Sequence, residues 1–139
     1  IGVGAGSATL ASASEGGAPA STGDAFVHAR AAVERAKGRT VANALAVNAD
    51  SVVAAARAEA VLQLLASVLR RRSAKQWRAL DLLARPGATG VEVAATLGVT
   101  PQNVSKLGRD AMWQEVQDAR AVAAYLLISA DTAWVAPPR

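Results

Sequence analysis

Residues 90–109 read GVEVAATLGVTPQNVSKLGR, and their pattern predicts two short helices joined by a tight turn. Ala94 is small at a position where two crossing helices would touch. Gly98 follows four residues later, where the turn needs a backbone that tolerates a positive φ. Val104 and Leu107 then recur at helical spacing, which places both on the inner face of the second helix. The stretch therefore predicts a helix-turn-helix.

The start of the second predicted helix is marked by Thr100 and Pro101. A threonine hydroxyl is a good N-cap, and proline is well tolerated at the first helical position, where its missing N–H costs nothing. Val93, Leu97 and Val99 complete a small apolar core for the motif. The alternative is an ordinary helical hairpin, since helix-turn-helix geometry by itself does not require nucleic acid.

The outward face of the second predicted helix is rich in hydrogen-bond donors. Six residues are left at or near the solvent side: Thr100, Gln102, Asn103, Ser105, Lys106 and Arg109. None of them is acidic, whereas a merely solvated helix face more often includes Glu or Asp. Gln and Asn side chains pair with adenine edges, and Lys and Arg side chains pair with guanine or phosphate. The pattern predicts a helix that reads the major groove of double-stranded DNA, with base contacts expected chiefly from Gln102, Asn103 and Lys106.

A cluster of basic residues lies just upstream of the motif. It consists of Arg70, Arg71, Arg72, Lys75 and Arg78. We expect these cations to neutralise DNA phosphates and to set the register of binding. A second interpretation, compatible with the first, is that the arginines offset the dipole at a helix C-terminus. The net charge of +4 and the isoelectric point near 10.3 suit an anionic partner.

Composition limits the other function classes. The 139 residues suffice for one domain or one and a half, and the start at Ile rather than Met suggests a fragment of a longer protein. The absence of cysteine excludes disulfides, thiolate zinc sites and cysteine nucleophiles. No signal peptide pattern is found at the start, and the apolar stretch Ala121–Ala130 is shorter than the roughly 20 residues a membrane span needs. We expect a soluble, cytoplasmic protein.

The N-terminal part predicts a small β-α-β arrangement. A short strand at Ile1–Val3 is followed by a Gly/Ala/Ser-rich loop from Gly4 to Gly23, an amphipathic helix at Asp24–Lys37 and a strand at Thr40–Asn48. The residues expected in the core from this helix are Phe26, Val27, Ala31 and either Val33 or Ala36. The early glycines are too closely spaced for a dinucleotide-binding fingerprint.

The remainder is predicted to be helical. A long apolar helix begins at Asp50 or Ser51 and ends near Arg72, a supporting helix runs from Ser73 to Pro86-Gly87 with Trp77 buried, and a last helix covers Asp110–Ser129. The fold class is mainly α, a three-helix helix-turn-helix unit flanked by long helices. The expected divisions are 1–49, a helical DNA-binding domain at 50–129 and a tail at 130–139.

The order of these elements resembles the C-terminal part of SatD-like bacterial proteins. The segments that carry the resemblance are IGVG, GDAFVHARAAVERAK and EVAATLGVTPQNVSK. The helix-turn-helix is also similar to region 4 of sigma factors and to the reader unit of MarR-type regulators. The N-terminal segment is similar to the last portion of a nucleotide-cyclase-like ferredoxin fold. The metal-binding carboxylates of such domains lie on earlier strands, and residues 1–50 offer no candidate pair, so cyclase chemistry is not carried over.

Catalytic constellations are not found in the sequence. His28 is the only histidine, and a lone histidine without partner ligands is rarely a metal site. No base is placed near any serine by the sequence pattern. We expect no enzyme activity, no cofactor and no metal, but a DNA-binding transcriptional regulator that dimerises to bind two half-sites about 34 Å apart. The alternatives are a helical protein-interaction or dimerisation module and the regulatory tail of a nucleotide-cyclase-like protein.

Overall fold

The computed structural model describes residues 1–12, 14, 17, 21–38 and 40–131. In chain order the elements are β1 (Gly2–Gly4), α1 (Asp24–Ala36), a 3-10 turn (Ala42–Ala44), β2 (Ala46–Asn48), α2 (Val52–Arg70), α3 (Ala74–Leu83), α4 (Gly90–Leu97), α5 (Pro101–Asp110) and α6 (Trp113–Ala130). The predicted fold class is confirmed, since the described part is mainly helical with a small N-terminal β element. Part of the predicted glycine-rich loop and most of the predicted tail lie outside the described residues.

The chain divides into two compact units. Unit 1 comprises Ile1–Leu64 and Ala121–Arg139, and unit 2 comprises Leu65–Arg120. These limits differ from the divisions at 50 and 130 that the sequence suggested. The reason is that the boundary between the units falls inside α2 and inside α6, so that each helix has one end in unit 1 and the other in unit 2. Amino-acid composition along the chain does not reveal a boundary inside a helix.

In unit 1 the two strands and α1 form the predicted β-α-β arrangement. β1 and β2 pair in parallel, with Val3 opposite Val47. A parallel pair requires a crossover connection, and α1 provides it. The second strand is shorter than the predicted Thr40–Asn48, because Asn43 and Ala44 adopt positive φ values of 56° and 49° that interrupt an extended chain.

The glycines of β1 allow α1 to lie very close to the strand. A Cβ atom on Gly2 would overlap the backbone of Val33, and one on Gly4 would overlap the backbone of Ala25. The core between helix and sheet is accordingly made of small side chains, namely Ala32, Ala36 and Ala46. Of the residues expected in the core, Phe26, Val27 and Ala31 are exposed, and of the alternatives Val33 and Ala36 only Ala36 is buried. A helix held this close to a strand leaves no space for large side chains between them.

The outer edge of β2 is closed by side chains instead of a third strand. The Val47 N–H donates to Glu59 Oε2 at 2.8 Å, and the Val47 carbonyl accepts from Arg35, which also pairs with the Glu59 carboxylate. Gln63 Nε2 donates to the Leu45 carbonyl at 2.9 Å. These bonds satisfy backbone groups that an open strand edge would leave available for pairing with another chain.

Acidic pH is expected to weaken the side-chain hydrogen bonds that close the outer edge of β2. Burial of Glu59 opposes ionisation, but the hydrogen bonds from Arg35 and the Val47 amide outweigh it and hold the Glu59 pKa below its usual 4.5. A carboxyl with a lowered folded-state pKa stabilises the fold above its unfolded pKa, and that contribution is lost as pH falls through the folded pKa. Glu59→Gln should lower the free energy of unfolding at pH 7 by on the order of 1 kcal/mol, a modest value because Arg35 is half-exposed. The same substitution should make the stability of β2 less sensitive to acid.

Amide hydrogen exchange of β2 between pH 3 and pH 7 measures this effect. Glu115→Gln is the matched control, because Glu115 is an exposed glutamate. Equal acid sensitivity of β2 in Glu59→Gln and in the unmodified protein would contradict the assignment.

Helix α2 begins as predicted but is less buried than expected. Ser51 Oγ accepts from the Ala54 N–H at 3.3 Å, which confirms the predicted cap. Three large apolar residues of the helix are mostly exposed, with Val52 at 75%, Val53 at 61% and Leu64 at 68% of full exposure. Within the described part of the chain, α2 alone has the length and apolar composition that could cross a membrane.

The last predicted helix does not start at Asp110. α5 ends there, Met112 has a φ of 51°, and α6 begins at Trp113. Met112 is exposed because it occupies this break, whereas Val116 further along α6 is buried.

Candidate nucleic-acid interface

Helix α4 is held at its start by a reciprocal pair of hydrogen bonds. Thr89 Oγ1 accepts from the Glu92 N–H at 3.3 Å, while the Glu92 carboxylate accepts from the Thr89 N–H at 2.9 Å. The bonds from Thr89 lower the pKa of Glu92. This capping box was missed in the sequence, although a Thr followed three residues later by Glu is its recognised signature.

The turn between α4 and α5 has the geometry that the sequence predicted. Gly98 has a φ of 64°, its N–H donates to the Ala95 carbonyl, and the Val99 N–H donates to the Ala94 carbonyl at 3.0 Å. These two bonds form a Schellman motif, which satisfies the last carbonyls of α4 and reverses the chain. Glycine is needed at residue 98 because a Cβ is strained in the left-handed region.

Helix α5 begins at the predicted cap. Thr100 Oγ1 accepts from the Asn103 N–H at 3.2 Å, and Pro101 occupies the first turn. Both predictions for these residues are confirmed. The beginning of α5 is therefore fixed by local hydrogen bonding, so the side chains that follow it have a defined orientation.

Behind α5 lies the predicted core of the motif. Val93, Ala94 and Val104 are buried and pack with Leu82, Leu83, Leu97 and Val99. Leu107 is half-buried. Helix α3 packs against both α4 and α5, and a capping box between Ser73 and Gln76 fixes its start. Unit 2 thus contains a three-helix unit with α5 as its third helix.

The opposite side of α5 forms an exposed polar surface, which we call the α5 ridge. It consists of Gln102, Ser105, Lys106 and Arg109. All four side chains are exposed, and none makes a hydrogen bond or ion pair with another residue in the part of the chain that the structure describes. Their donors are therefore available to an external partner. Thr100 is exposed as well, with its hydroxyl engaged as the cap.

Asn103 departs from the prediction. It is half-buried, and its Oδ1 atom is enclosed without a hydrogen-bond partner among the described residues. An amide that pairs with an adenine edge must present both its oxygen and its nitrogen at the surface. The prediction that Asn103 contacts a DNA base was therefore wrong.

The upstream basic cluster is split by the structure. Arg70, Arg71, Lys75 and Arg78 are exposed and form no ion pair within the described ranges. Arg72 is only 8% exposed, its Nε donates to the Ala111 carbonyl at 3.0 Å, and its guanidinium lies over the Trp77 ring, 5.1 Å from the centroid. The prediction that Arg72 contacts DNA phosphate was wrong, because its charge is inside the protein.

The prediction that Trp77 is buried was also wrong. The sequence predicted burial on the inner face of α3, but 39% of the residue is exposed, and Arg72 covers its ring. Leu80, also on α3, is buried at 1% exposure.

A cavity of about 330 Å³ beside α5 was not predicted, and Ser105 and Arg109 of the α5 ridge contribute to its lining. Gly90 and Gly108 line it together with Leu83 and Trp113. A Cβ on either glycine would meet no neighbouring atom within 4 Å, so the missing side chains leave part of this space open. No sequence motif indicates such a cavity, because its walls come from four separate helices.

The single histidine and the acidic residues were predicted not to form a metal site. Across the described ranges, no group of three or more His, Asp or Glu residues could hold a metal ion. His28 Nε2 lies 3.0 Å from Asp50 Oδ1, and its Nδ1 lies 3.3 Å from Asn48 Nδ2. Both ring nitrogens are thus engaged within unit 1.

Comparison with known proteins gives no relative. No protein-family model matches the chain, and neither a curated protein nor a solved structure matches it. The similarities to SatD-like proteins, sigma region 4, MarR-type regulators and cyclase domains therefore stay predictions from sequence patterns.

Proposed function

We propose that this chain is a DNA-binding module of a transcriptional regulator, with α5 lying in the major groove. The observation that carries the proposal is the α5 ridge on the third helix of a three-helix unit, because its four exposed donor side chains have no partner among the residues that the structure describes. Gln102 offers an amide suited to adenine, while Lys106 and Arg109 offer donors suited to guanine or phosphate. Helices of this kind read base edges in known helix-turn-helix complexes.

The exposed part of the basic cluster belongs to the same unit as the ridge. Arg70, Arg71, Lys75 and Arg78 would contact phosphates and position the protein, while the ridge would select sequence. The proposal includes a cytoplasmic location, a homodimer on paired half-sites, and no catalytic activity or cofactor.

Binding to random DNA duplexes over a range of salt concentrations tests the proposal. Retention at low salt that falls as salt rises would support it, because phosphate contacts release counterions. No retention at any salt concentration would reject it. Selection of bound duplexes from a random pool would then show sequence preference and half-site symmetry in one experiment.

The phosphate role of the basic cluster makes a separate prediction. Replacing Arg70 and Arg71 together with glutamine should weaken binding to all duplexes alike. It should also reduce the slope of log K against log salt by roughly 0.9 for each lost phosphate contact.

The matched control replaces Arg30 and Arg57, which are exposed arginines of unit 1, with glutamine. This variant loses the same charge and should keep the slope. An unchanged slope in the Arg70 and Arg71 variant would remove these residues from the interface.

The second candidate is a protein-interaction or dimerisation module. The exposed apolar residues of α2, Val52, Val53 and Leu64, favour it. In that case the helix-turn-helix is a scaffold, DNA is not retained at any salt concentration, and Leu64→Gln dissociates an oligomer detected by sedimentation.

A further inference from the structure

The cavity beside α5 lies within unit 2 and opens to solvent. Its lining comes from the end of α3, the start of α4, the second half of α5 and the first turn of α6. Its volume is about 330 Å³, which lies at the lower end of the range for small-molecule sites. Since one water occupies roughly 30 Å³ in the liquid, the cavity has space for roughly ten heavy atoms.

The wall of this cavity is predominantly apolar. Val104 is buried and Leu83 and Trp113 are half-buried, so three large apolar side chains line the space. The two charged residues of the lining, Arg109 and Glu115, have opposite signs, so the wall carries no net charge. A charged ligand would lose hydration here without a net opposite charge to compensate. An apolar wall that includes an indole ring therefore suits an uncharged aromatic molecule.

Two glycines leave the cavity open although the backbone does not require them. Gly90 is the first residue of α4, and Gly108 lies inside α5, one turn after Val104. Neither glycine has a positive φ, and a Cβ on either would meet no neighbouring atom within 4 Å. Glycine is among the least favourable residues inside a helix. Neither conformation nor close packing accounts for Gly108, whereas space for a ligand does.

We propose that this cavity is a binding site for an uncharged aromatic molecule of one or two rings, which packs against Leu83, Val104 and the Trp113 ring. Contact between rings favours an aromatic ligand over an aliphatic one of the same size. Ser105 and Arg109 also line the cavity and belong to the α5 ridge, but neither is needed to hold an uncharged ring. Binding at this site is therefore independent of whether α5 reads DNA.

Titration of the complete 139-residue chain with indole, in the absence of DNA, tests the site. Indole is uncharged and has two fused rings. NMR would follow the backbone amides of Gly90 and Gly108 and the Nε1–H of Trp113, because the ring current of an aromatic ligand shifts the resonances of nearby nuclei. We expect saturable shifts that are largest at these three positions.

Matched compounds test the chemistry of the ligand. Indole-3-acetate and tryptamine carry the same ring with a negative or a positive charge at pH 7, and both should bind more weakly than indole because the charge loses hydration at the apolar wall. Phenol and cyclohexanol are uncharged single rings of similar size. Phenol should bind more tightly than cyclohexanol because of its contact with the Trp113 ring.

Gly108→Leu tests the position of the ligand by filling the cavity from α5. Leucine is a better helix former than glycine and its Cβ meets no neighbour, so the free energy of unfolding of unit 2 should not fall. Indole binding should weaken about tenfold or more, because the leucine occupies the space that the ring needs. Ala95→Leu is the matched control, since it adds the same side chain at an exposed residue of α4 that does not line the cavity. Its indole affinity should be unchanged.

Any of five results would overturn the proposal. Two concern the unmodified protein, namely the absence of saturable shifts with indole and shifts that are largest in α2 around the exposed Leu64. Two concern the ligand, namely tighter binding of either charged analogue than of indole and equal binding of phenol and cyclohexanol. The last is an indole affinity in Gly108→Leu equal to that of the unmodified protein. The first four do not depend on any variant remaining folded.

Discussion

Leu80→Ala is expected to lower the free energy of unfolding of unit 2 by about 2–5 kcal/mol. Leu80 is 1% exposed and lies on α3, the helix that packs against both α4 and α5. Removing its branched end leaves a cavity that the close-packed surroundings fill only in part. Because such a loss is a large fraction of the stability of a small domain, the helix-turn-helix should open measurably.

Amide hydrogen exchange in α3, α4 and α5 measures this loss for unit 2 without assuming that the two units unfold together. Val91→Ala is the control, since it truncates an apolar side chain of unit 2 that is 66% exposed. Its cost should stay within about 0.5 kcal/mol. Equal effects of the two substitutions would show that Leu80 is not a core residue.

Replacing Gln102 or Lys106 with alanine is expected to weaken binding to a selected DNA site by about 1–3 kcal/mol each. Both side chains are exposed on the α5 ridge and have no internal partner in the described residues, so their removal should leave the fold intact. The loss should be confined to sequences that carry the base contacted by the missing side chain, because base contacts supply specificity. Anisotropy titrations on the selected site and on single-base variants of it measure this selectivity.

Gln114→Ala is the control for these substitutions, since it removes an exposed glutamine of unit 2 that lies outside α5. A similar loss on every sequence would make Lys106 a phosphate contact instead of a base contact. No loss in either ridge variant would argue against α5 as the reading helix.

The helix-turn-helix was predictable from sequence because its signals are local. Gly98 in the left-handed region, Thr100 as the cap and Pro101 in the first turn each depend on neighbours within a few residues. The inward positions of Val93 and Val104 follow from helical spacing alone. The same is true of the exposed ridge, since the side of a short helix opposite its apolar residues faces away from the core.

Predictions failed where burial depends on distant parts of the chain. Arg72 belongs to a run of three arginines, and composition places such a run on the surface. Arg72 follows the end of α2 and is enclosed because Trp77 and the Ala111 carbonyl contact it from other parts of the chain. The half-buried position of Asn103 is likewise set by packing around α5, which the sequence pattern of that helix does not contain.

The amino-acid pattern alone was sufficient for the mainly helical fold, the turn at Gly98 that ends α4, the start of α5 at Thr100, and the polar face of the helix-turn-helix, because hydrogen bonds and spacing within one or two turns produce them. Long-range packing selected which arginine is buried, how closely α1 lies on the glycines of β1, and how Glu59 and Arg35 close the edge of β2. Those features require contacts between groups from separate elements. The free energy of such contacts depends on residues far apart in the sequence, so no single segment predicts it.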